Sequence, residues 1–338
     1  MTIDLRSDTV TRPTPAMLDF MLRAKVGDDV FREDSTINEL ESRMAATFGM
    51  ESALFCPSGT MTNQIAIKIH TQPGNEVICD KTAHVYIYEG GGIAFNSGCQ
   101  VKALDGDRGR ITAAQVSDAV NPDDVHKAPT RLVCLENTAN RGGGSCYEWD
   151  GIGAIRQVCD THGLKFHLDG ARLYNALIAK GQTPSQYGKI FDSISICLSK
   201  GLGCPVGSVL LGTGEDIARA RRIRKIFGGG MRQAGFLAAA GLYALDHHVE
   251  RLAEDHRHAQ ILAQALDDKD FTGEILPVET NIVIFSVRGR YTAAALAEAF
   301  KEKGIIVVAI SPTQIRMVTH LDFSAEMAER AVRVIGEL

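Results

Sequence analysis

Two residues of this chain stand where they could do chemistry together. Lys200 follows the alternating, β-rich run Ser193-Ile194-Ser195-Ile196-Cys197-Leu198 and opens the small-residue turn Ser199-Lys200-Gly201-Leu202-Gly203. An amine lifted off a sheet edge into such a turn can be partly desolvated and made nucleophilic. Asp169 closes a second such run, Lys165-Phe166-His167-Leu168-Asp169, and is followed by Gly170-Ala171-Arg172. A strand-end carboxylate and a strand-end amine are what a pyridoxal phosphate site needs, one for the ring nitrogen and one for the aldehyde. Alone, the lysine reads as a solvated loop residue and the aspartate as a plain turn residue. The pair carries the signal.

Other residues fit the same mouth. Ser58, Gly59 and Thr60 separate a strand from a helix, and hydroxyls, a close-approach glycine and a helix N-terminus together suit a phosphate. Their bland reading is an ordinary capped helix. Arg172 returns to the mouth three positions after Asp169 and could face the cofactor's phenolate oxygen or a substrate carboxylate. Among ten histidines, His84 and His126 are the candidates for a base near neutral pH. The spacing of the residues alone leaves that choice open. His70, His162, His167, His247, His248, His256 and His258 read as surface or structural, with His167 in an open environment. No pair of histidines is spaced four apart on a helix, which argues against a catalytic transition metal.

The elements that position these groups alternate. Strands are expected over 53–56, 76–79, 100–104, 131–135 and 207–211, besides the two that end at Asp169 and Leu198. Helices are expected over 36–48, from Met61, and over 151–162. Such alternation implies an α/β fold with a mainly parallel sheet covered on both faces, and ligands off the carboxyl ends of its strands. Pro13 and Pro15 punctuate a short helix ending near Gly27. Beyond Gly228-Gly229-Gly230 come helical patterns over 233–247 and 249–266. Strands over 281–287, 305–310 and 314–318 then alternate with helices over 292–303 and 324–336. We place a domain boundary near 247, giving a large cofactor-binding domain with the N-terminal arm (1–247) and a small C-terminal α/β domain (248–338). The 338 residues suffice for two cores. A net charge of −5 offers no basic field for nucleic acid. No apolar run matches a membrane span, and the N-terminus lacks a signal-peptide core. Eight scattered cysteines fit a reduced, cytoplasmic protein without a disulfide frame.

With Ser58-Gly59-Thr60, His84, Asp169-Gly170-Ala171-Arg172 and Leu198-Ser199-Lys200-Gly201 in this order, the chain resembles the low-specificity L-threonine aldolases over nearly its full length. Leu5-Arg6-Ser7-Asp8-Thr9-Val10-Thr11, Gly27-Asp28-Asp29-Val30, Leu135-Glu136-Asn137-Thr138, Gly228-Gly229-Gly230-Met231-Arg232-Gln233 and Arg316-Met317-Val318-Thr319-His320 add to the likeness. The resemblance implies the fold-type-I architecture of the aspartate aminotransferase superfamily, with a seven-stranded sheet in the large domain. It implies reversible cleavage of L-threonine, L-allo-threonine and related 3-hydroxy amino acids to glycine and an aldehyde. It also implies pyridoxal 5′-phosphate bound covalently to Lys200, with Asp169 on the pyridine nitrogen and Ser58, Gly59 and Thr60 around the phosphate. His84 would stack on the ring, and Ser7, Arg172 and Arg316 would clamp the substrate carboxylate. His126 matches a second active-site histidine. Arg232 is similar to an arginine that reaches a neighbouring subunit's phosphate, which implies a dimer sharing active sites within a tetramer. One departure stands out: where the family has Tyr-Gly after Val30, this chain has Phe31-Arg32. The competing readings are a β-eliminating lyase or aminotransferase on the same cofactor, and a cofactor-binding scaffold without activity.

Overall fold

The structure is a computed structural model that describes residues 2–338. A short strand in the N-terminal arm, β1 (Ile3–Asp4), precedes a seven-stranded sheet. That sheet comprises β2 (Ser52–Cys56), β3 (Glu76–Asp80), β4 (Gln100–Leu104), β5 (Thr130–Glu136), β6 (Lys165–Gly170), β7 (Ser193–Cys197) and β8 (Ser208–Gly212). Its order is β2-β8-β7-β6-β5-β3-β4, and only β8 runs antiparallel to its neighbours. A mainly parallel sheet is buried on both faces, and the residues show it. Phe166, Leu168, Ile194 and Ile196 point into the main core, whereas Leu132, Cys134, Val77 and Cys79 join a core on the other face. On that second face β6 and β7 present His167, Asp169, Ser193 and Ser195, all buried. The centre of the sheet therefore carries a polar seam, covered by the helix Gly59–His70.

The C-terminal part adds β9 (Thr272–Ile275), β10 (Ile282–Val287), β11 (Ile305–Ile306), β12 (Val308–Ser311) and β13 (Gln314–Val318). Four of these form an antiparallel sheet ordered β12-β13-β10-β9, while β11 pairs with β1. The single strand expected over 305–310 is thus two, because its first residues turn to meet the N-terminal arm. Ile3 and Leu5 are buried in the same core as Phe285, Phe300, Met317 and Phe323. His320 fastens the arm further, with Nε2 2.8 Å from the Asp4 carbonyl.

The first helix runs Pro15–Leu22 and stops short of Gly27, its C-cap at Arg23. Arg32 takes φ 62°, a left-handed conformation that glycine adopts at least cost. All eight cysteines are buried and free. Among the described residues no helix is long and apolar enough to cross a membrane.

Candidate active site

The polar motifs converge off the carboxyl ends of β2, β5, β6 and β7. Ser58 caps the helix Gly59–His70, its Oγ accepting from the Met61 N–H at 3.2 Å. The first-turn N–H groups of any helix lack intrahelical acceptors, so this end offers donors to an anion. Gly59 is required for the approach, since a Cβ there would lie 2.5 Å from Cys197 Sγ. Beside it the Ser208 hydroxyl is buried without a hydrogen-bond partner. Lys200 is half-buried in the turn after β7, its Nζ 3.4 Å from Cys197 Sγ.

Asp169 is buried next door on β6, paired in register with Ser195 of β7 and Glu136 of β5. Its oxygens accept from the Ala171 N–H at 3.1 Å and from Asn63 Nδ2 at 3.0 Å. Among the described residues it forms no ion pair. A buried carboxylate without a cation is costly, and a protonated ring nitrogen would answer it.

His84 begins a short helix after β3, with its backbone N–H on Glu136 Oε2 at 2.7 Å and Nδ1 2.9 Å from Glu89 Oε1. With the Glu89 carboxylate accepting at Nδ1, the neutral ring carries its proton there and its lone pair at Nε2. Burial would lower the imidazole's pKa. The hydrogen bond to Glu89 and the charges of Asp169, Glu89 and Glu136 outweigh it and raise the value. Glu136 goes up to about 7, first because it is buried and then because Asp169 lies beside it. Glu89 also accepts from Asn63 and Gln64. His84, Glu89 and Asp169 have ligand-type atoms within 4.8 Å of one another, and here hydrogen bonds tie them together.

Of the three groups matched to a carboxylate clamp, Arg316 is the open one. Its Nη1 donates to Asn140 Oδ1 at 2.7 Å and its Nη2 to the Arg6 carbonyl at 3.1 Å, while Nε is buried without an acceptor. Burial and the neighbouring Arg172 lower its pKa to about 10. Ser7 adjoins the carbonyl that Arg316 holds, its Oγ accepting from Thr9. Arg172 departs from expectation. Its fork is filled from within, Nε and Nη2 lying 2.6 and 2.7 Å from the two oxygens of buried Asp8. Only its Nη1 edge is left for a ligand.

Burial would raise the Asp8 pKa, but Arg172, Lys200 and Asn281 hold it at about 2, below the usual 3.8. A depressed carboxylate stabilises the fold above its unfolded pKa and loses that contribution as pH falls through the folded value. We therefore expect Asp8 to contribute ~2 kcal/mol that is intact above about pH 4 and gone below about pH 2. Thermal melts from pH 5 to 2 on wild type and Asp8→Asn check this: the difference between them should shrink with acid, and a constant gap would refute it.

Two expected site residues are not brought here. His126 is exposed in the turn before β5, hydrogen-bonded to Asp124. It precedes the strand and so lies at the amino edge of the sheet, opposite the mouth. Arg232 is also exposed and pairs with Asp28 at 2.8 Å. His167, read as open, is fully buried, because the face it shares with Asp169 is roofed by the helix Gly59–His70. Asp8, Asn63, Glu89, Glu136 and Asn140 were not read from the sequence as site residues in their own right.

The beta-eliminating lyase family matches residues 4–290. Over 325 residues the chain is 43% identical to the low specificity L-threonine aldolase of Escherichia coli K12, spanning 96% of this chain and 95% of that one. The chain belongs to the low-specificity L-threonine aldolases of the beta-eliminating lyase family. The fold agrees with a Leishmania major threonine aldolase at a TM-score of 0.86 and 22% identity, over 99% of both chains. It also matches a structure of SPT with PLP as its internal aldimine, at a TM-score of 0.76 and 16% identity over 99% and 87% of the two chains. At such identities these two speak for the fold.

Proposed function

We propose that this chain cleaves L-threonine, L-allo-threonine and related L-3-hydroxy amino acids to glycine and an aldehyde, reversibly, with pyridoxal 5′-phosphate as cofactor. The observation that carries the reading is buried Asp169, without a cation, on the strand beside the one that delivers Lys200. When bound, the cofactor supplies a conjugated, protonated ring that accepts the electrons of a bond breaking at the substrate's α-carbon.

The chain's own residues do the rest. The amine of Lys200 would hold the cofactor's aldehyde covalently, and Asp169 would keep the proton on the ring nitrogen. Ser58, Thr60 and the first-turn N–H groups would hold the phosphate, with Gly59 allowing the approach. Arg316 grips the substrate carboxylate through the Nε edge that has no partner, assisted by Ser7 and the free edge of Arg172. A planar fork fixes orientation as well as charge, and orientation decides which α-carbon bond lies perpendicular to the ring. His84 would lie beside the cofactor and would take the β-hydroxyl proton at Nε2, a step worth roughly 10²–10⁴-fold. His126 has no part in this mechanism within one protomer.

We further propose a dimer sharing active sites within a tetramer, in which Arg232 reaches the neighbouring copy's phosphate. Exposed Arg232 and the exposed rings of Phe31 and Phe95 support this.

The test is acetaldehyde release from L-threonine and L-allo-threonine, side by side, on the purified yellow protein. Release from both is expected, and the ratio of kcat/KM gives the β-carbon preference. Silence from a visibly yellow protein would retain the cofactor and overturn the reaction, leaving pyruvate formation from serine or exchange with 2-oxoglutarate to be assayed.

A further inference from the structure

The polar seam on the second face of the sheet is longer than the mechanism uses. Asn63 and His70 are seven apart on one helix and so lie on one side, two turns from each other. His167 and Asp169 alternate on β6, and Ser193 of β7 is in register with His167. Together they make one unbroken series of hydrogen bonds. Asp169 Oδ2 is 3.0 Å from Asn63 Nδ2, and Asn63 Oδ1 is 3.1 Å from His167 Nε2. His167 Nδ1 is 2.8 Å from Ser193 Oγ, which is 2.8 Å from Nε2 of half-buried His70.

The direction of every proton follows from donor counting. Asn63 Nδ2 faces two carboxylates, Asp169 and Glu89, and must donate to both. Its Oδ1 can then only accept, so Nε2 of His167 carries a hydrogen. His167 is enclosed, and burial holds its pKa down at about 3, so the ring is neutral and Nδ1 has a lone pair. Ser193 therefore gives its one hydrogen to Nδ1 and accepts from His70. All donors point toward Asp169.

The two carboxylates already decide which way the amide faces, but His167 is the partner that anchors its Oδ1, and without it Asn63 could swing and draw its Nδ2 away from Asp169. We propose that His167 is a positioning residue: by locking the amide of Asn63 it fixes Asp169 as an acceptor aimed at the cofactor's ring nitrogen. This rests on the reading that Asp169 meets that nitrogen. His167 itself touches neither cofactor nor substrate.

The test compares binding of two probes to the full-length apoprotein by absorbance titration. One is pyridoxal 5′-phosphate, the other its carbocyclic analogue with C–H in place of the ring nitrogen. Wild type should prefer the natural cofactor. His167→Phe should bind it about 10- to 100-fold more weakly, the scale of a lost hydrogen bond to a charged group, with the analogue's affinity unchanged. His167→Gln, which can donate to Asn63 and accept from Ser193, should restore the preference. Equal weakening of both probes would mean mere structural damage and overturn the proposal, as would no weakening of either. If His167→Phe does not fold, Ser193→Ala serves, and an unchanged preference there overturns the proposal. Failure of wild type to bind pyridoxal 5′-phosphate at all would instead sink the cofactor reading beneath it.

Discussion

Lys200→Ala is expected to abolish turnover of L-threonine and the yellow colour together, while the protein stays folded. The side chain is half-buried, its only hydrogen bond among the described residues is the weak one to Cys197 Sγ, and its turn is held by backbone bonds such as Gly203 N–H to the Lys200 carbonyl at 2.8 Å. Truncation beyond Cβ therefore removes no hydrogen bond on which the fold depends, although it withdraws one of the charges that hold Asp8 ionised. What it removes is the amine delivered beside Asp169, which no other lysine replaces among the residues named at this site. Activity and the visible band are measured on the same preparation. Wild-type-like activity in Lys200→Ala would sink both the cofactor attachment and the reaction proposed.

Asp169→Asn is the second. The amide keeps the size and can still accept from Asn63, so the change is one of charge. A buried ionic partner lost from a ring that needs it costs about 3–5 kcal/mol, or roughly 10²–10⁴-fold at about 1.4 kcal/mol per tenfold. The loss should fall on kcat. A second signature comes from the neighbour: Glu136 titrates near 7 because it is buried and because Asp169 is charged beside it. With that charge gone the Glu136 pKa falls, and any pH dependence it imposes near neutrality moves to lower pH. A pH–rate profile of Asp169→Asn matching wild type in height and shape would refute the assignment.

Much of this site could be read from the sequence because its main groups sit at punctuation. Lys200, Asp169 and the Ser58-Gly59-Thr60 loop each mark a strand end followed by small residues, and in a parallel sheet those ends face one side. The same rule places His126, which precedes its strand, at the other edge of its own protomer's sheet. Its place was legible from strand direction alone. The pairings that modify the site were not legible, because distance along the chain hides them. Asp8 fills the fork of Arg172 across 164 positions, and no local pattern distinguishes that arginine from one left open for substrate. His167 escaped for a different reason. Alternation shows that it lies opposite Leu168, but the partner it meets there sits on a helix a hundred residues earlier. In the C-terminal part the break between β11 and β12 was invisible for the same cause, the partner strand lying in the N-terminal arm.

That arm has a bearing on how the protein comes to be folded. Ile3 and Leu5 complete a core whose other members lie beyond residue 258, and the clasp between His320 and the Asp4 carbonyl spans 316 positions. Contacts so distant in sequence form late, after the entropy of closing a very long loop is overcome. On the ribosome the large sheet can assemble from what has emerged, but the arm must wait until the C-terminal part is made. Until then the apolar strip of the arm has no home, and Asp8, three residues past Leu5, is not yet held against Arg172. The active-site mouth is thus finished only when the arm meets the C-terminal part.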